Sequence, residues 1–216
     1  MQPKLIKEYE LLWKNLHLYC RNSNCIYKIV YLYNFILARN EYPSVKLFEL
    51  MNKKYPIINF FNQEQRNYSS IYGVLVNRKA FCIGISRTVK NILDLLRLEN
   101  RFVWGYINSP QKGKIIYAWD MVKIKNNFYH PDATFDITRN PNLLKGIEDS
   151  SRLPSVKSTE FYSKNLLVSG DKILNSHLWN KKFYPSCKSS YPRHIIMDSI
   201  KNLRFQGIQF SYKQNY

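Results

Sequence analysis

The chain is expected to fold as an α+β domain in which a cysteine-bearing helix packs on an antiparallel sheet. Three observations predict this. Between residues 82 and 98, Ile85, Val89, Ile92, Leu93 and Leu96 fall at helical spacing, with Arg87, Lys90, Asp94 and Arg97 on the opposite face. From 115 to 124, Ile116, Ala118, Asp120, Val122 and Ile124 alternate with Tyr117, Trp119, Met121 and Lys123, the period of a strand. Lys125, Asn126 and Asn127 then offer turn residues before a further strand over 128–134, completing a hairpin.

The remaining elements follow in order. Residues 4–20 predict an amphipathic helix, with Leu5, Tyr9, Leu12, Trp13 and Leu16 on one stripe. A second helix is expected over 25–38, stopped by Asn40 and Pro43. Ser44 is placed to cap a short third helix running to 51. Residues 56–61 are apolar, and 63–70 are polar and read as a loop. A first strand is expected over 102–107, followed by a turn-rich connection at 109–113. The stretch 136–152 reads as a loop, 160–168 as a strand, 171–175 as either helix or strand, and 185–194 as a loop. Alternation over 204–212 suggests a late strand or a partner-binding tail. No repeat and no splitting linker occur, so one domain over 1–216 is expected. Its core spans about 70–137, with a helical part at 1–69 and a covering extension at 138–216.

Cys82 opens the predicted central helix. There, unpaired backbone N–H groups and the positive end of the helix dipole favour a thiolate. A free thiol, with pKa ~8.5, can fall by one to several units at such a position. The alternative for Cys82 is a small buried apolar side chain, the commonest role of cysteine. The hairpin would bring Tyr117 and Asp132 together on adjacent strands near the start of the helix. Asp132 sits between Pro131 and Ala133 in apolar surroundings and needs a partner, because unpaired buried charge is costly.

The segments YGVLVNRKAFCIG, YAWDMVKI and FYHPDATFD, in this order and spacing, resemble the transglutaminase-like superfamily of the papain-related thiol fold. A fainter likeness continues through SGDKILNSHLWNKKFYPSC. The resemblance implies that Cys82 takes the nucleophile position and Asp132 the orienting carboxylate position, with Tyr117 standing where the family has histidine. Asp120 replaces the usual asparagine and Phe135 the usual tryptophan. It also implies a cleft for a peptide or protein, with Trp119 and His130 as binding residues.

A phenol with a reference pKa of about 10 keeps its proton at neutral pH and is a poor general base. The expectation is therefore an incomplete Cys-His-Asp triad and impaired catalysis. The alternatives are an active cysteine peptidase or acyl transferase acting on peptide amides, with His130 or a water completing the relay, and a basic module binding an anionic polymer.

The net charge of +18 is spread along the chain without a dense basic block, which argues against a dedicated nucleic-acid binder. No apolar run is long enough for a membrane span, and the first residues carry charges rather than an apolar signal core, so a cytoplasmic location is expected. Cys20, Cys25, Cys82 and Cys187 show no metal spacing, and His17, His177 and His194 have no evident partner in the sequence. No metal or cofactor is expected.

Overall fold

The computed structural model describes residues 3–20, 24–43, 66–109, 113–138 and 163–205. The architecture is α+β, with helices packed on a four-stranded antiparallel sheet of order β3-β2-β1-β4. The strands are β1 (Asn100–Ser109), β2 (Gly113–Ile124), β3 (Asn127–Tyr129) and β4 (His177–Leu178). The helices are α1 (Pro3–Cys20), α2 (Cys25–Arg39), α3 (Cys82–Leu95), α4 (Ala133–Thr138), α5 (Gly170–Ile173) and α6 (Arg193–Phe205). A π-helical turn, Gly73–Asn77, precedes α3. The expectations for 44–51, 56–61, 139–152 and 206–212 lie outside the described residues.

Helix α2 is buried on nearly every side, from Ile26 to Leu37, because α1, α3, α4 and α6 all pack against it. Two of its buried polar side chains reach named partners: Asn34 donates to the Val30 carbonyl, and the Tyr33 hydroxyl reaches Asp136 and the Asp132 carbonyl. Helix α3 buries Ile85, Val89, Ile92 and Leu93 against this helical core and leaves Arg87 and Asp94 wet. A second cluster, rich in aromatic rings, fills the space around Cys82, Tyr117, Trp119 and Phe135.

The β1–β2 hairpin pairs from Ser109↔Gly113 to Asn100↔Val122. The β2–β3 turn needs only Lys125 and Asn126, and Lys125 takes the left-handed conformation (φ 55°) that such turns require.

Several expectations are corrected. The strand expected over 128–134 ends at Tyr129. Pro131 has no N–H to continue the ladder, and Asp132 instead accepts a hydrogen bond from the Phe135 N–H at 3.0 Å, capping α4. Of the strand expected over 160–168, the described part, 163–168, holds a single bridge, in which Val168 pairs with His130. The stretch starting at 171 resolves as helix, and α6 occupies part of the supposed loop and late strand. Ile196, Ile200 and Leu203 bury one face of α6 at intervals of four and three, and α6 packs on α2.

Strand β4 is held close to β1 because Gly105 lacks a side chain. A Cβ there would collide with the Leu178 carbonyl and approach Trp119 Cη2 to 2.8 Å. Gly105→Ala is expected to cost about 1–3 kcal/mol, the usual scale of overpacking. Thermal unfolding checks this, and an unchanged Tm would show that β4 tolerates displacement.

Candidate functional site

Phe81 enters α3 in an extended conformation (φ −79°, ψ 168°), placing Cys82 in the first turn. The Cys82 side chain is fully buried. Its sulfur lies within hydrogen-bonding range of the Ala118 and Ile83 backbone N–H groups and of the Tyr42 hydroxyl. Burial dominates and pushes the thiol up to about 12, although these donors pull the other way. Of the two readings of Cys82, thiolate or small buried side chain, this burial favours the second. The helix end contributes a partial positive charge, but removing the sulfur from water costs the charged form more.

Asp132 is the hub of the site. Its Oδ1 accepts from the Tyr117 hydroxyl at 3.1 Å and from the Phe135 N–H at 3.0 Å. Its Oδ2 lies 2.8 Å from His177 Nε2, and His177 Nδ1 lies 2.8 Å from Ser176 Oγ. Carboxylate and imidazole are both fully or almost fully buried. The His177 ring packs against Tyr117, Trp119 and Phe135, with centroids 5.4, 4.9 and 4.8 Å away. Burial, then the nearby Asp132 charge, raises the Tyr117 hydroxyl well above its ordinary value, so it is a donor and not a base.

The model therefore brings together Asp132 and Tyr117, with Cys82 close enough to influence the phenol electrostatically. Trp119 and His130 are also in this cluster, but both side chains are buried and bonded to each other, Trp119 Nε1 donating to His130 Nδ1 at 3.0 Å. Burial lowers His130 to about 3, so it remains neutral, and the nitrogen facing Trp119 is occupied. This geometry makes it a poor surrogate base.

Two members of the site were missed in the sequence. His177, read as lacking a partner, meets Asp132 across 45 positions, and Tyr42 reaches Cys82 from an irregular segment. Strand β4, which carries His177, is only two residues long and has no readable period. Among the described residues no group of three metal-binding side chains converges, and His177 is committed to Asp132.

No family model matches the chain, and no curated protein matches it. Among solved structures, a crystal structure of a TGase aligns with a TM-score of 0.48 and 19% identity, over 73% of this chain and 38% of that chain. The chain thus spans well under half the length of that protein. No helix among the described residues is long and apolar enough to cross a membrane.

Asp120 is a separate electrostatic feature. It is buried beside Ser86 on α3, and its Oδ1 has no partner among the described residues. Burial, then the charge of Asp132, raises its pKa well above the ordinary carboxylate value. A carboxyl raised in this way adds stability below its unfolded pKa, ~4, and loses it as pH climbs through the folded value. Asp120→Asn removes that loss. It should raise the Tm by about 2 °C or more at pH 8, with the gain fading toward pH 4. Parallel pH profiles for the two proteins would contradict this.

Proposed function

We propose that the chain is a transglutaminase-like domain with an incomplete Cys-His-Asp set, which binds a peptide or protein with little or no turnover. The observation that carries this is the bond between the Tyr117 phenol and Asp132, beside a buried thiol. Thiol catalysis of acyl transfer needs a group that takes the sulfur proton and returns it to the leaving amine. A phenol raised above its ordinary pKa by burial does not take that proton at neutral pH. A thiol at about 12 instead of 9.0 supplies about a thousandfold less thiolate.

The order of the three motifs supports the family, and the Tyr117 substitution supports silence. Trp119 and His130, in this account, shape the floor of the site from below. The alternative, an active thiol enzyme, is favoured by one observation: an imidazole, His177, is bonded to Asp132 and packs against Tyr117 and Trp119. For turnover His177 would have to reach the sulfur, yet its ring is packed against Tyr117.

Alkylation separates the two. With iodoacetamide at pH 7, Cys82 in the folded protein should react about a thousandfold more slowly than in the denatured chain, followed by peptide mass spectrometry. Tyr117→His should raise the folded rate by about tenfold or more, because an imidazole beside the sulfur favours the thiolate. Fast modification of Cys82 in the unaltered protein would favour the enzyme, and an unmoved rate in the histidine variant would remove Tyr117 as the cause of silence.

A further inference from the structure

Only part of one face of the sheet is covered by α3. The pairs Phe102↔Asp120, Trp104↔Ala118 and Tyr106↔Ile116, with Tyr106↔Leu178, put these residues on a common face. Helix α3 covers its inner end, where Ser86 meets Asp120 and Cys82 meets Ala118. Beyond Ala118 the face emerges into solvent. Trp104, Tyr106 and Ile116 are 47%, 46% and 45% exposed, and Phe183, on the turn after β4, is 79% exposed. Large apolar side chains are seldom left contiguous on a surface that binds nothing.

Trp104, Tyr106 and Ile116 border a groove of ≈560 Å³, closed on the other side by Leu178, Trp179 and Asn180. Lys114 lines it, and the exposed Lys181 stands beside it, Nζ 5.6 Å from the centre of the Trp179 ring, with the exposed Lys182 next in the chain. Among the described residues, no acidic residue lines the groove and none of the three lysines has an ion partner.

We propose that this groove is the docking site for an acidic segment of a partner protein, which seats a bulky apolar side chain among Trp104, Tyr106 and Ile116 and sets its carboxylates against Lys114, Lys181 and Lys182. The proposal deepens the functional reading above and rests on it for the class of ligand. Charge selects the occupant. A second copy of a chain carrying +18 would bring lysines against lysines. A single-stranded nucleic acid needs cations along the whole path of its backbone, whereas here the lysines flank a lining whose other residues are uncharged, Trp104, Tyr106, Ile116 and Leu178 among them. An apolar floor with a basic rim matches an apolar anchor flanked by carboxylates.

Fluorescence anisotropy tests this with a labelled synthetic peptide, Asp-Glu-Phe-Asp-Leu-Glu-Asp, at low salt. The controls are a copy with serine at the two apolar positions, a copy with lysine at the acidic positions, and a twelve-nucleotide oligothymidylate. The peptide should bind, the serine copy should bind about tenfold more weakly, and the lysine copy should not bind. Trp104→Ala and Lys114→Glu should each weaken binding about tenfold with an unchanged circular dichroism spectrum. If Trp104→Ala does not fold, Ile116→Ser takes its place.

Equal affinity for the serine copy, tighter binding of the oligonucleotide, or unchanged affinity in the variants would overturn the proposal. So would an absence of peptide binding. A reactive Cys82 together with intact peptide binding would remove the claim of catalytic silence and leave the groove standing.

Discussion

The site is organised around two oxygens of one carboxylate. Asp132 Oδ1 takes the Tyr117 phenol and caps α4, and Oδ2 takes His177. These bonds tie the hairpin, α4 and the short strand β4 to a single buried point. A carboxylate that deep is tolerable only because donors meet both its oxygens. The same arrangement shapes the chemistry. The imidazole is spent on one oxygen and the phenol on the other, and the thiol is left to a hydroxyl and backbone donors.

The surroundings reinforce this division. Rings of Tyr117, Trp119, Phe135 and Trp179 exclude water around His177 and Asp132, which strengthens each polar contact and penalises free charge. Two further carboxyls, Asp120 and Asp136, lie close enough to feel Asp132. Burial raises both, Asp136 to about 7 even though Tyr33 and Asn165 donate to it.

The legibility of the sequence divides along physical lines. Helices α1, α2 and α3 and the β1–β2 hairpin were readable because each has many apolar residues at a regular period. Asp132 and Tyr117, which meet, are fifteen residues apart across a two-residue turn, so local pairing suffices to bring them close. His177 was not readable, because its contact depends on a strand of two residues added at the far edge of the sheet. Tyr42 belongs to no periodic element. Helix α6 was legible in principle, through Ile196, Ile200 and Leu203, but alternation further on masked it. The state of Cys82 stayed open in the sequence because a helix start is visible there, whereas the depth of burial that outweighs it is not.

The central claim is that the sulfur at the start of α3 holds its proton at neutral pH. Thiolate absorbance near 240 nm, followed with pH in a variant whose other three cysteines are serine, measures this directly. The expected curve has no thiolate step below about pH 10, since burial holds the thiol near 12. A step between pH 5 and 8 in the folded protein would contradict the account.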